Sequence, residues 1–213
     1  MTLAIRISAA AALTALGLGA PGLAHAAGFQ NMSQSATANG MGSMGTANPD
    51  EPNANFYNPA MLAMRDGFEV YVGDTILIPS TSWTPLDGGE TVNTVSQVFP
   101  PPNFHLGAPI DLGGAGRLGL GLGVTLPYGL GIAWPEGWEG RDAIVSQDLQ
   151  TYNINPNVAY KLPGMDLSLA AGAQIYRSNV RLVRDIVLRD DVGVTSTIAG
   201  SGWGFGATAA LMY

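Results

Sequence analysis

The segment Thr151-Tyr152-Asn153-Ile154-Asn155-Pro156-Asn157-Val158-Ala159-Tyr160 decides the fold. Tyr152, Ile154, Pro156 and Val158 take alternate positions, and Thr151, Asn153, Asn155 and Asn157 stand between them. A period of two puts the two sets on opposite faces of a β-strand. One face is apolar; the other carries amides and a hydroxyl. Tyr152 and Tyr160 share the apolar face. At about 3.3 Å per residue they lie roughly 26 Å apart, close to the height of the lipid-facing band of a membrane barrel.

The same rhythm runs outward from this segment, which belongs to a strand over about 144–160. Upstream, Phe68, Val70, Val72, Ile76 and Ile78 alternate with Glu69, Tyr71, Gly73, Thr75 and Leu77. A second strand fits Asn103–Ile110, with Phe104, Leu106, Ala108 and Ile110 on one face. A third runs from Arg117 to about Tyr128, its leucines alternating with Gly119, Gly121 and Gly123. Downstream, strands are expected over Asp166–Val180 and Gly202–Tyr213, the latter with Trp203, Phe205, Ala207, Ala209 and Leu211 on one face. The minor faces are glycine or amide, which suits a lumen that needs space and water. Short connections (111–116, 162–165) alternate with long ones (79–102, 129–143, 181–201), the habit of membrane barrels.

Composition narrows the field. The chain has 213 residues, 29 glycines, no cysteine, 12% charged residues and a net charge of −7. Lys161 is its single lysine, so no basic stripe exists to neutralise phosphates, and nucleic acid is excluded as a partner. Met1–Arg6 is a short basic start, Ile7–Leu18 is apolar, and Ala24-His25-Ala26 is a small-x-small cleavage site, so residues 1–26 read as a signal peptide. No later stretch approaches the ~20 apolar residues of a spanning helix, so a membrane form must cross as strands. Residues 27–65 are rich in Ser, Ala, Asn, Gly and Met and lack a continuous apolar face. Phe29, Phe56, Tyr57 and Pro59 are nevertheless too many anchors for a pure linker.

These residues resemble the N-terminal half of a FadL-type outer-membrane transporter for long-chain fatty acids and other hydrophobic compounds. Ala27-Gly28-Phe29-Gln30 is similar to the family's mature start. Asn58-Pro59-Ala60-Met61-Leu62 is similar to its hatch motif. Pro102-Asn103-Phe104-His105 with Ala108-Pro109-Ile110 resembles the second strand, Tyr128-Gly129-Leu130 the end of the third, and Gly202-Trp203-Gly204-Phe205-Gly206 the sixth. The resemblance implies an all-β fold: a transmembrane antiparallel β-barrel with an N-terminal plug, or hatch. The expected layout is a signal peptide over 1–26, a hatch over 27–65 and strands over 66–213. The family barrel has about fourteen strands, within the even-numbered range of bacterial barrels. About six are legible here, too few to close around a plug, so the chain is expected to be an incomplete copy of a larger barrel.

The resemblance also implies a passive mechanism in the bacterial outer membrane. A hydrophobic molecule is caught by outer loops, held in an apolar pocket and released when the hatch shifts. It then leaves sideways through a gap at an inward kink in the third strand. The hatch candidates are Asn58, Pro59 and Ala60; a structural turn without gating is the alternative. The lateral-opening candidates are Pro127, Tyr128 and Gly129, since proline removes a ladder donor and glycine weakens pairing. A plain strand end is the alternative. Ligand candidates are Leu130, Ile132, Trp134 and Trp138, as a capture groove or as interface anchors. Arg177 and Arg181 suit a carboxylate, or serve as solvated charges or contacts to lipid headgroups beside Arg184, Arg189, Asp185, Asp190 and Asp191. Expected partners are long-chain fatty acids or hydrocarbons, outer-membrane lipid and lipopolysaccharide, with the complete protein a monomer. No cofactor or metal site is indicated.

An enzyme finds little support in the residues. His25 lies in the leader, which leaves His105 as the one mature histidine. No Ser-His-Asp order, metal-ligand spacing or phosphate loop is present, and the glycines over 113–123 precede no helix. Two other readings stay open: a nonspecific porin or structural barrel, and a soluble exported β-sandwich that binds a ligand.

Overall fold

The computed structural model describes residues 30–48, 50–189 and 192–213. The signal-peptide reading of 1–26 and the Ala27-Gly28-Phe29 start lie outside the described residues, as do Asp190 and Asp191. Asn31–Tyr213 forms one compact unit.

Six strands make one antiparallel sheet: β1 (Glu69–Asp74), β4 (Pro102–Asp111), β5 (Arg117–Ala133), β6 (Ser146–Lys161), β7 (Ser168–Arg189) and β8 (Val192–Met212), in that spatial order. Between β1 and β4 a small hairpin pairs β2 (Ser82–Trp83) with β3 (Val92–Asn93). Each strand of the large sheet lies beside its neighbour in sequence, apart from the skipped hairpin. β1 and β8 are the two edges, so among the described residues the sheet is open.

The alternation read from sequence sorts the two faces. On β6, Thr151, Asn153, Asn155, Asn157 and Ala159 are buried, whereas Tyr152, Ile154, Val158 and Tyr160 are exposed. Phe68, Val70 and Val72 at the start of the sheet, and Trp203 and Phe205 on β8, are exposed on the same outward side. A sheet whose large apolar side chains face outwards, and whose amides are buried, inverts the soluble arrangement and fits a strand wall in lipid.

The inward face is covered by residues 31–48 and 50–64. Helix α1 (Ala36–Gly40) starts at Ser35, whose hydroxyl accepts from Ala38 N at 3.3 Å. Helix α2 (Ala54–Tyr57) starts at Asn53, whose side chain accepts from Phe56 N at 3.1 Å. A 3-10 turn, Pro59–Met64, follows with proline at its first position, where no N–H is needed. These short helices lack an apolar stripe of their own and depend on packing against the sheet. Ala60, Met61 and Ala63 are fully buried, in one cluster with Ala54, Leu62, Ala159 and Ala170. The glycines of β5 make this approach possible: a Cβ at Gly119 would stand 2.5 Å from the backbone nitrogen of Ala63. The space beside these glycines is taken up by the N-terminal segment.

Several strand extents differ from expectation. β1 ends at Asp74, and only a single bridge, Leu77 to Phe99, continues the pairing. β5 runs on to Ala133 and so takes the first residues of the expected loop over 129–143, whereas β7 reaches Arg189 and β8 begins at Val192, so most of the expected loop over 181–201 is strand. β7 and β8 pair from Ser168↔Met212 up to Val187↔Gly193. The charged stretch 181–187 lacks apolar alternation because it outruns the apolar band; backbone pairing does not require apolar side chains. The loop expected over 79–102 contains the β2–β3 hairpin.

Candidate functional site

Three asparagines fix the N-terminal segment to three strands. Asn55 Nδ2 donates to Leu106 O of β4 at 2.9 Å. Asn157 Nδ2 of β6 donates to Asn55 Oδ1 at 3.1 Å. Asn58 Nδ2 donates to Leu211 O of β8 and to Thr46 O, each at 3.1 Å, while its Oδ1 caps the 3-10 turn by accepting from Ala60 N at 3.1 Å. Asn58 is thus a cap and a tether at once, Pro59 follows at the first helical position, and Ala60 is 0% exposed. A fourth amide, Asn53 Nδ2, donates to Gln34 O at 2.7 Å. Burial raises the pKa of the Tyr57 phenol above its ordinary value, so its hydroxyl stays protonated and donates to Met32 O at 2.5 Å. At the sheet's end, Arg65 Nε pairs with Glu69 at 2.9 Å, and Arg117 lies 3.7 Å from Asp66.

The wall beside this segment is irregular. β5 and β6 pair regularly up to Thr125↔Asn153, then resume at Tyr128↔Thr151, which leaves Leu126 and Pro127 opposite Tyr152 alone. That is a bulge of one residue, with a proline in it that has no N–H to offer. On the other side, the pairing of β4 with β5 stops at Phe104↔Val124, and Pro100-Pro101-Pro102 precedes that point. A cavity of about 150 Å³ sits at the break, lined by Phe99, Pro102, Leu126, Gly129, Leu130 and Tyr152 among others. Leu130 pairs across to Leu149, which shares the inward face with Thr151, whereas Tyr152 faces out. The cavity therefore touches residues of both faces. The strand does not end at Gly129; the irregularity lies within β5. Tyr128 faces in, its ring 6.5 Å from that of Tyr176.

The remaining candidates do not converge on one groove. Trp134 stacks on Trp138 with centroids 4.2 Å apart, and Trp83 of the β2–β3 hairpin meets Trp138 edge-on at 6.0 Å. Trp138 Nε1 donates to Ile144 O at 2.7 Å. Leu130 lines the wall cavity, and Ile132 lines a separate polar one of about 310 Å³ with Gln97, Asp148 and Arg181. Arg177 lies opposite Tyr152 and Arg181 opposite Asp148, so both start from the outward face. Arg177 sits 5.3 Å over the Trp203 ring and donates to Ser201 Oγ at 2.8 Å. His105 is buried on the inward face at 2% exposure, and neither ring nitrogen has a hydrogen-bond partner among the described residues. The sequence reading gives no role to Trp83, Asn31, Gln34 or Asn55, and it places Asn157 on the amide face without naming its partner. The amides at 53, 55 and 58, set against 153, 155 and 157, were the available signal.

The family profile described as "Outer membrane protein transport protein (OMPP1/FadL/TodX)" matches residues 18–212. The long-chain fatty acid transport protein of Escherichia coli K12 is 25% identical over 189 residues, covering 73% of this chain and 41% of that protein. The protein of the same name from Shigella flexneri matches to the same extent. The chain thus spans less than half the length of these curated relatives. Among solved structures, a Pseudomonas aeruginosa FadL homologue superposes with a TM-score of 0.61 at 21% identity, covering 86% of this chain and 49% of that one. At that identity the likeness speaks for the fold alone: an antiparallel β-barrel of which the six strands form a part.

Proposed function

The chain belongs to the outer-membrane transport protein family OMPP1/FadL/TodX, and on that premise we propose that it forms the plug and the first wall strands of a passive transporter for long-chain fatty acids or similar hydrophobic compounds. In this reading residues 1–26 direct export, residues 27–65 are the hatch, and the strands from 66 onwards are the wall. The edges of β1 and β8 would leave unpaired N–H and C=O groups in hydrocarbon, at several kcal/mol each, so the working unit includes further strands between them. It is monomeric, with lipid and lipopolysaccharide around its outward face. The hatch moves when cargo is bound, and Asn58-Pro59-Ala60 sets its resting position.

One observation carries the reading: the bulge at Leu126-Pro127, with a cavity that touches both faces of the wall. The inward face below it is crowded with amides and hydroxyls, including Asn153, Asn155, Asn157 and Gln174. An apolar molecule gains nothing by travelling down such a surface, because it would desolvate those groups without bonding them. A side exit through the wall leads to lipid instead. The bulge has one residue too many, so deleting Pro127 restores a continuous ladder. In cells that depend on this transporter, the deletion should lower uptake of a labelled long-chain fatty acid at least tenfold while the protein stays in the outer membrane. Undiminished uptake would remove the side exit, and equal passage of small polar solutes would favour a porin.

A further inference from the structure

The bulge in β5 is bonded to the plug. Gln34 is 0% exposed, and its Nε2 donates to Leu126 O at 3.1 Å and to Asn31 O at 3.2 Å. Asn31 N donates to Pro127 O at 2.6 Å. Leu126 and Pro127 are the two residues whose ladder is interrupted. Buried carbonyls must find a donor somewhere, and here the N-terminal segment supplies it in place of a neighbouring strand. Gln34 is itself held. Its carbonyl accepts from Asn53 Nδ2 at 2.7 Å, and its N–H is donated to the Tyr57 hydroxyl at 3.4 Å. Asn53 caps α2, which leads directly into Asn58-Pro59. A line of hydrogen bonds and one short helix therefore joins the hatch motif to the break in the wall.

We propose that Gln34 is a positioning residue, a latch by which the plug holds the wall opening in its resting shape. While the amide is seated, the carbonyls of Leu126 and Pro127 are satisfied and the bulge stays where it is. When residues 31–34 withdraw, both carbonyls lose their donors, and the gap beside Pro127 widens until water or a neighbouring strand replaces them. Hatch movement and side opening are then one event. This rests on the side-exit reading above and adds the residue that controls it.

Because the chain has no cysteine, single thiols report the opening without background. Thr125, beside the gap, is 2% exposed and its hydroxyl has no partner among the described residues, so Thr125→Cys disturbs little. Ala60, in the body of the plug, is 0% exposed. Gln34→Glu keeps the shape of the side chain and removes both N–H donors; Gln34→Leu removes them without adding charge. In membranes carrying the full protein, either variant should speed maleimide labelling of Thr125→Cys at least tenfold and leave Ala60→Cys unchanged. The result is read on whichever variant retains its strand content by circular dichroism. Unchanged labelling at Thr125→Cys overturns the latch, as does equal acceleration at Ala60→Cys, which would mean that the whole plug is unseated. In the unaltered chain the Asn31 N–H must exchange with deuterium at least tenfold more slowly than the N–H of fully exposed Leu86; equal rates also overturn it. Labelling does not require transport. If fatty acid fails to enter cells, the transport reading falls while the latch is judged on its own.

Discussion

Asn58 shows how much one side chain can hold. Its oxygen caps the 3-10 turn, and its nitrogen binds two carbonyls, one of them on a strand 153 residues further along. Asn58→Ala removes the cap and leaves two acceptors without this donor, a loss of about 2 kcal/mol for buried partners. Asn58→Asp keeps the cap yet turns an oxygen towards those carbonyls, so it should cost more, about 3 kcal/mol. Urea unfolding in detergent should rank the variants accordingly, with Asp below Ala and Ala below the unaltered chain. The order Ala below Asp would show that the cap dominates and the tether to β8 contributes little. Arg177 teaches a different lesson. A carboxylate pocket inside the barrel was one expectation, yet register carries it out beside Trp203. One face or the other is decided by parity along the strand, and parity is fixed by its alignment with Tyr152.

At the scale of elements, β7 and β8 form a hairpin of 22 and 21 residues whose upper part is polar. In the lower part, Leu169, Ile175 and Phe205 stand in the apolar stretch; in the upper part, Arg181, Arg184 and Asp185 face Ala199, Ser196 and Thr195. Without lipid around it, the upper ladder is open to water, and local opening there is cheaper. Backbone amides of 181–186 and 194–199 should exchange at least tenfold faster than those of 169–175 and 205–211. Equal protection would place the upper hairpin inside the membrane band. The same contrast explains what was legible in the sequence. Tyr152 to Tyr160 and Phe104 to Ile110 alternate strongly, and both strands lie where expected to within two residues. Arg181–Val187 has no such rhythm, because no apolar solvent selects one there, and its sequence reads as a loop. The contact of Asn55 with Asn157 is legible only in part. Asn157 reads as one of a row of amides on one strand face and Asn55 as one of several in the N-terminal segment, and only the folded chain pairs the two.

For the whole molecule, the connections define two ends. The turns at 111–116 and 162–167 lie at one end of the sheet, and the β2–β3 hairpin and the tryptophan stack lie at the other. Leu86, on the β2–β3 connection, is fully exposed, and Leu112 is 45% exposed in a short turn. A membrane-impermeant maleimide added to intact cells should label Leu86→Cys and spare Leu112→Cys until the outer membrane is broken. Labelling in the reverse order would turn the barrel over. Asn55 and Asn58, which enter the fold early in the chain, bind partners on β6 and β8 that are separated from them by 102 and 153 residues. Contacts so distant in sequence form late, since the intervening chain must first be ordered. The first part of the polypeptide to be made is therefore the last to settle: the stopper waits, unseated, for a bottleneck that its own chain has yet to build.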